Sequence, residues 1–206
     1  MSDWATRYLH VLELEPSSPT LEFLGRLCRA QVTRVPFENA TAILRRRAAA
    51  DGPAATLDED AMLAAWEARA GGGVCVDAAP MFRHLLQVLG YTVRPILAQI
   101  SFPGSHQASI VTLDGGEYLV DVANGAPFFE PIPLDEPAVV RRAGLAWRFR
   151  RDSGSMLVQD REIAGEWAPF CFYTLREASP EEIEAAYQHH HTPGVSWVVG
   201  NLILVR

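Results

Sequence analysis

The sequence predicts an α+β protein in which an N-terminal helical bundle precedes a β-barrel-like antiparallel domain. Apolar residues recur three or four apart through most of residues 1–90, which is helical spacing. From residue 91 onward, β-rich runs alternate with turn residues, most clearly around "DGG" at 114–116. A chain of 206 residues can bury a sizeable core. We therefore predict a helical domain over 1–90 and a β-rich domain over 91–206, the second with a C-terminal helix and strand.

Composition excludes several classes of function. The formal net charge of -7 argues against a general affinity for nucleic acid or anionic membranes, because both require basic surface. The first twenty residues lack the basic end and apolar core of a signal peptide, and no apolar run reaches the roughly 18 residues of a membrane span. The three cysteines include no CxxC pair, so neither a disulfide framework nor a structural zinc site is expected. We expect a cytoplasmic protein without nucleic-acid or membrane partners.

Two helices are predicted before residue 71. Apolar residues at helical spacing predict one buried helix face with Leu21, Leu24, Leu27 and Cys28. Thr20 is the predicted N-cap, and Pro36 ends this helix because proline disfavours helical backbone at the residue before it. The polar stretch "RRRAAADGPAATLDED", 45–60, predicts a surface loop, and "LDEDAMLAAWEAR" returns to helical spacing.

A further helix follows the glycine-rich stretch "GGGVCVDAAP", residues 71–80. Its apolar residues fall on one side: Met81, Phe82, Leu85, Leu86 and Leu89. Gly90 is placed to cap its C-terminus. Because proline is tolerated only in the first turn, Pro80 puts the predicted helix start near Asp77. Cys75 then lies at the N-terminus of this helix.

The residues alone leave two interpretations of Cys75. A helix N-terminus stabilises a thiolate, and the preceding glycines leave the sulfur approachable, which favours a nucleophile. A single cysteine in a half-apolar chain is also commonly a core residue. Cys28, on an apolar helix face, and Cys171, within "PFCFY", fit the core interpretation better than Cys75 does.

The β-rich half begins with "YTVRPILAQIS", a strand in which Pro95 implies an edge or a bulge. "QASIVTL" and "EYLVDV" then form a predicted hairpin across the "DGG" turn. Further strands are predicted at "AWRFRRD", "SMLVQDR" and "PFCFYTLRE". A helix over "SPEEIEAAYQHH" opens with a capping box of Ser179 and Glu182, and the ending "SWVVGNLILVR" is typical of a strand.

A nucleophilic cysteine needs a histidine, and His106 is the best placed of the six. It follows a loop and opens the hairpin, so it is fixed and reachable. His10 lies near the N-terminus, and His84 is about two and a half helical turns beyond the cysteine. The run at 189–191 is typical of a solvated helix end rather than of a metal site. No metal site is predicted.

A catalytic histidine also needs an orienting acid, and Asp121 is the candidate because it interrupts the apolar "YLVDVA". A two-residue turn at Gly115 and Gly116 would place Asp121 opposite Ile110, which shares a strand face with His106. A three-residue turn would reverse that parity. The hairpin therefore permits a contact between His106 and Asp121 without establishing it.

Three ordered motifs together resemble the arylamine N-acetyltransferase family: "VPFEN" (35–39), "GGGVCVDAA" (71–79) and "SHQASIVTLDGGEYLVDVANG" (105–125). That family has a VPFEN-type segment, an RGGxCxExN cysteine motif, a histidine that opens a hairpin and a DVGFG-type acid motif. The tail "HHHTPGVSW" is similar to the family's TxPxSxF segment. The resemblance implies a cysteine-protease-like core with a catalytic triad of Cys75, His106 and Asp121.

The activity that this resemblance implies is a ping-pong acyl transfer, in which an acyl-cysteine forms from a thioester and an amine then takes the acyl group. No tightly bound cofactor is implied. One co-substrate would be a small-molecule amine. The other would be an acyl thioester, carried either by CoA or by an acyl carrier protein, which would then be a protein partner. The positions that correspond to substrate-binding residues are Phe37, Asn124, Gly125 and Ser196, and the Cys75 backbone N–H is one expected oxyanion donor.

The chain also departs from the family's motifs. Gly71 stands where the cysteine motif has arginine, Asp77 where it has glutamate, and Ala79 where it has asparagine. Ala123 and Asn124 replace the first glycine and the phenylalanine of DVGFG, so we expect a more polar acceptor pocket. We also expect the family's third, lid-like domain to be shortened or absent. A more open cleft would suit the amide synthases of the family, which release or cyclise polyketide-type chains.

Two other classes of function remain as alternatives. Cysteine hydrolases and transglutaminase-like enzymes can also order a triad as Cys, His and Asp, although "VPFEN" and the "DVANG" ending argue against them. A non-catalytic relative would only bind acyl thioesters or a partner protein. The presence of all three triad residues argues against that alternative.

Overall fold

A computed structural model describes residues 2–48, 56–152 and 155–205 of the chain. Its helices are α1 (Asp3–Val11), α2 (Leu21–Arg34), α3 (Ala40–Ala48), α4 (Glu59–Glu67), α5 (Cys75–Val88) and α6 (Pro180–His190). Its strands are β1 (Phe37–Glu38), β2 (Thr92–Gln99), β3 (His106–Leu113), β4 (Gly116–Val120), β5 (Ile132–Pro133), β6 (Ala138–Arg142), β7 (Leu145–Arg151), β8 (Met156–Ile163), β9 (Glu166–Thr174) and β10 (Leu204–Val205). A 3-10 turn covers Trp197–Val199. Within these described ranges, no helix is both long and apolar enough to cross a membrane.

Eight of the strands form one antiparallel sheet in the order β5-β4-β3-β2-β9-β8-β7-β6, curled into a nearly closed barrel. Alternate residues of its strands fill the interior, with large side chains at Ile110, Trp147, Phe149 and Tyr173. The α+β prediction is thus confirmed. The division into domains at residue 90 stays a prediction.

Helix α5 joins the two halves because it packs against both β2 and β3. Its apolar face, with Met81 and Phe82, belongs to a second core that includes Leu24 and Leu27 of α2. That core also takes Val111 from β3. The N-terminus of α5 is therefore held between the other helices and the sheet.

The first helices follow the predicted pattern with two corrections. Thr20 caps α2 by accepting a hydrogen bond from the Phe23 N–H, at 3.2 Å. Leu21, however, is 41% exposed, and Phe23 takes its place on the buried face. The predicted loop over 45–60 is wrong at both ends, since Arg45 to Ala48 end α3 and Glu59 and Asp60 begin α4. Residues 56–58 lie between helices as predicted, and residues 49–55 lie outside the described ranges.

Helix α5 begins at Cys75, two residues earlier than predicted, and Pro80 lies inside it. Pro80 gives up the hydrogen bond that its N–H would donate to the Val76 carbonyl. The early start is stabilised by Asp77, whose carboxylate accepts from the Val74 N–H at 3.2 Å. At the other end, Gly90 has φ +91, as its predicted role in the C-terminal cap requires.

The hairpin turn is one residue earlier than predicted. Leu113 pairs with Gly116, so the turn is Asp114-Gly115, and both residues have positive φ, 51° and 81°. Such angles suit the twist of a two-residue hairpin. The same register, with Ser109 opposite Val120, puts Asp121 level with Ala108 instead of Ile110. The parity is unchanged, so the shared face for His106 and Asp121 is retained.

Two further strand predictions have different outcomes. Pro95 lies where β2 pairs with β3 alone, because β9 meets β2 only at Ala98 and Gln99. The predicted C-terminal strand is mostly wrong, since only Leu204–Val205 is a strand, paired with β1. The Asn39 side chain holds this segment in another shape by donating to the backbone carbonyls of Val198 and Asn201, and it accepts from the Ile203 N–H at 2.7 Å.

Candidate active site

The cysteine segment lies directly beside the "VPFEN" segment. The Gly73 N–H donates to the Pro36 carbonyl, and the Glu38 N–H donates to the Gly73 carbonyl, both at 3.2 Å. A Cβ at Gly72 would lie 1.9 Å from the Pro36 oxygen, so only glycine fits there. The two motifs therefore form one backbone unit that leads into Cys75 at the first position of α5.

Two buried carboxylates stabilise this unit. Glu38 accepts from the Gly72 N–H at 2.8 Å and from the Thr41 N–H at 3.1 Å. Asp77, with no side-chain exposure, accepts from Arg45 of α3 as well as from the backbone ahead of Cys75. Burial lowers the pKa of Arg45, but the charge of Asp77 and the hydrogen bond to it outweigh burial, so that the pKa is raised. The sequence placed Arg45 in a loop and gave no sign of this ion pair.

His106 lies between Cys75 and Asp121. Its Nε2 is 2.9 Å from Oδ2 of Asp121, and both side chains are buried. Cys75 lies beside the same imidazole, close enough to act on its pKa by charge and by side-chain hydrogen bonding. Burial lowers the pKa of His106, but the charges of Asp121 and Cys75 and their hydrogen bonds outweigh burial, so the pKa is raised to about 10. The arrangement therefore favours the protonated, cationic form of His106 beside Cys75.

Asp121 is held by three donors on one oxygen. Besides His106, Oδ2 accepts from Asn124 Nδ2 at 2.9 Å and from the Tyr173 hydroxyl at 2.7 Å. The Tyr173 hydroxyl also lies 2.7 Å from the side-chain amide of Gln159. Burial and the neighbouring Asp121 charge raise the pKa of Tyr173 well above its ordinary value, so it remains a donor. Sequence reasoning missed Tyr173; the one available signal was a tyrosine on the apolar, inward face of a strand.

The remaining four candidate residues do not form one cluster around the triad. Phe37 and Gly125 are neighbours, since a Cβ at Gly125 would lie 3.4 Å from the Phe37 ring. Asn124 instead turns its amide to Asp121, so the polar group expected at the acceptor pocket is engaged elsewhere. Ser196 is buried and hydrogen-bonds His190 at 3.2 Å. A role in substrate binding stays a prediction for all four.

The histidine run is not the solvated helix end that was predicted. His190 and His191 are buried, because the chain after α6 folds back over them. His190 Nε2 lies 3.0 Å from the Ser105 carbonyl oxygen, and His191 Nδ1 lies 2.8 Å from the Tyr187 carbonyl oxygen. Across the described residues, no group of His, Cys, Asp and Glu side chains is arranged to hold a metal ion.

The other two cysteines are core residues. Cys28 belongs to the helical core and Cys171 to the barrel interior, and neither forms a disulfide. Burial raises the pKa of both thiols. Cys75 is the cysteine with a histidine beside it.

Comparison with known proteins gives one family. The sequence profile of the family described as N-acetyltransferase matches residues 20–206. Proansamycin X synthase of Amycolatopsis mediterranei is 29% identical over 165 residues, which cover 76% of this chain and 61% of that protein. The arylamine N-acetyltransferase / N-hydroxyarylamine O-acetyltransferase of Salmonella typhimurium is 23% identical over 202 residues, which cover 94% of this chain and 69% of that protein. This chain thus spans 61% and 69% of the two relatives.

The fold is also found among solved structures. The arylamine N-acetyltransferase of Mycobacterium marinum, solved in complex with CoA, superimposes with a TM-score of 0.82 at 24% identity. The match covers 97% of this chain and 76% of that one. At this identity the likeness establishes the shared fold.

Proposed function

This chain belongs to the arylamine N-acetyltransferase family, and from that premise we propose that it moves an acyl group from a thioester to an amine through an acyl-cysteine on Cys75. The observation that carries the proposal is the position of His106, which bonds Asp121 through Nε2 and has Cys75 beside its ring. A thiolate paired with an oriented imidazolium is what thioester exchange requires.

The proposed reaction has two halves. In the first, the Cys75 thiolate attacks the thioester carbonyl, the thiol of the donor leaves, and His106 supplies its proton. In the second, an amine attacks the acyl-cysteine, His106 takes the amine proton, and the amide leaves as the Cys75 thiolate re-forms. The backbone N–H of Cys75, at the N-terminus of α5, is the proposed oxyanion donor. Asp121 orients the imidazole throughout.

For the acyl donor we propose acyl-CoA, which is supported by the CoA complex of the Mycobacterium marinum enzyme. The match to proansamycin X synthase favours a second version, in which the chain acts as an amide synthase on a longer acyl group delivered on pantetheine. Both versions use the same triad. They differ in the acyl group and its carrier.

Intact-protein mass spectrometry tests the proposal. Incubation with acetyl-CoA and with longer acyl-pantetheine thioesters should add one acyl mass to the wild type and none to Cys75→Ala. Cys28→Ala is the matched control and should keep the adduct, since Cys28 lies in the helical core. The absence of an adduct with every thioester would overturn the proposal.

The decay of the adduct identifies the class of reaction. Release that depends on added amine and yields an amide supports the transferase. Release at the same rate in buffer alone would show a cysteine hydrolase instead. The donor that gives the faster adduct, acetyl-CoA or a longer acyl-pantetheine, distinguishes the acetyltransferase from the amide synthase.

A further inference from the structure

The geometry points to a second histidine, His190, as the residue that positions His106, acting through the backbone of Ser105. The inference rests on the proposed function, because it concerns how the imidazole proposed to activate Cys75 is held. His190 itself does not touch the reacting atoms, so its role is positioning and not catalysis.

His190 is only 2% exposed, and each of its ring nitrogens has one partner. Nε2 lies 3.0 Å from the Ser105 carbonyl oxygen, which can only accept, so Nε2 carries the proton. In the neutral ring Nδ1 is an acceptor, and the Ser196 hydroxyl donates to it at 3.2 Å. The Val198 N–H in turn donates to the Ser196 oxygen at 3.2 Å. One directed chain of hydrogen bonds therefore runs from the 3-10 turn to Ser105.

The surroundings of His190 favour this single neutral form. Burial, together with the nearby His189, His106 and His191, lowers the pKa of His190 to about 4. The hydrogen bond to Ser105 acts in the other direction but is outweighed. At neutral pH the ring can therefore donate to Ser105 and accept from Ser196 at the same time.

Ser105 is fixed from two sides. Its hydroxyl oxygen accepts from the N–H groups of the preceding loop, at Ile100, Ser101 and Phe102, over 2.8 to 3.4 Å. Its carbonyl, bound by His190, belongs to the peptide that joins Ser105 to His106. The orientation of that peptide sets the direction in which the His106 side chain leaves the strand, and hence its reach to Cys75 and Asp121.

Substitution of His190 by glutamine and by asparagine tests this role, because the glutamine amide N–H lies farther from the backbone than the asparagine amide N–H. His190→Gln can put an amide N–H near the position of Nε2 and so restore the donor to Ser105. His190→Asn is too short to do so. His10→Asn is the control, since His10 is exposed at the end of α1, away from this network.

The readout is the rate at which iodoacetamide alkylates Cys75 as a function of pH, with Cys75→Ala as the blank. We expect His190→Asn to move the onset of alkylation to higher pH and to slow single-turnover acylation by on the order of 10- to 100-fold, with little change in KM for the thioester. His190→Gln should recover most of the rate, and His10→Asn should match the wild type.

Superimposable alkylation profiles for wild type and His190→Asn would overturn the inference. So would equal losses of acylation rate in His190→Gln and His190→Asn when both variants are folded. If His190→Asn does not fold, Ser196→Ala decides, because it should shift the profile in the same direction by a smaller amount, and an unchanged profile rejects the role. Alkylation needs no acyl substrate. A wild type that is never acylated but whose alkylation depends on His190 would therefore reject the proposed function and keep this inference.

Discussion

Arg45 on α3 donates to Asp77 on α5, and so the first turn of the helix that begins with Cys75 is tied to a separate helix 32 residues earlier in the chain. Asp77 and Gly71 are two of the positions where this chain leaves the motifs of its family. Gly71 has no side chain, and the arginine beside the cysteine segment is Arg45 of α3. Glu38 accepts from the Gly72 N–H. The local change in sequence is thus accompanied by a long-range ion pair.

Removing Arg45 should destabilise the protein, because it leaves the Asp77 carboxylate buried without its cation. For Arg45→Met we expect a loss of about 3 kcal/mol in the free energy of unfolding, measured by urea denaturation. Asp77→Asn in the same chain should recover much of this loss, since the asparagine oxygen still accepts from the Val74 N–H. Arg47→Met, at an exposed position of the same helix, is the control. Equal stabilities of the Arg45 and Arg47 variants would contradict the prediction.

Tyr173→Phe should weaken the hydrogen bonding that holds Asp121 in place. The change removes one of three donors to Asp121 Oδ2 inside the barrel, and a buried acceptor that loses a donor costs about 1–3 kcal/mol. Both the free energy of unfolding and the rate of acyl-cysteine formation should fall. Tyr118→Phe, on β4 outside this network, should change neither quantity. An acylation rate in Tyr173→Phe equal to that of the wild type would show that the other two donors suffice.

The sequence predicted correctly those helices and strands that bury one face, because such a face leaves a local periodic pattern of apolar residues. Helical spacing located α2, and strand alternation located the hairpin, because each pattern records one buried face. The hairpin kept its parity although its turn moved by one residue, because the turn still contains two residues, and Asp114 adopts the positive φ that it needs. Tyr173 and His190 were missed because their partners lie 52 and 85 residues away, at separations that periodicity does not report.

Gly72→Ala should damage the cysteine segment by a backbone clash. The added Cβ would lie 1.9 Å from the Pro36 carbonyl oxygen, so the contact between the two motifs has to open. We expect a loss of several kcal/mol in stability and a strong reduction of the acyl adduct. Gly25→Ala gives the opposite sign, because that site lies inside α2 with its nearest neighbour 3.9 Å away, and should stabilise by about 1 kcal/mol. Equal stabilities of the two variants would contradict the clash.

The last prediction concerns pH. The pKa of His106 is raised from 6.5 to about 10 in the folded protein, because the Asp121 and Cys75 charges outweigh burial. A group whose pKa is raised by folding stabilises fully below its unfolded pKa, and that stabilisation is lost as pH rises through the folded value. The excess stability of the wild type over His106→Gln should therefore be largest near pH 6 and should shrink steadily as the pH approaches about 10.

Urea denaturation of both proteins across this range measures that difference. His84→Gln is the control, because the side chain of His84 is 43% exposed and lies outside the site. Asp121, Cys75 and Tyr173 face the same imidazole. Cys75→Ala measured in parallel therefore separates the contribution of the thiol from that of the histidine. A difference between wild type and His106→Gln that stayed constant or grew with pH would mean that His106 is not held as an imidazolium, and the thiolate pair proposed for acyl transfer would then lack its cation.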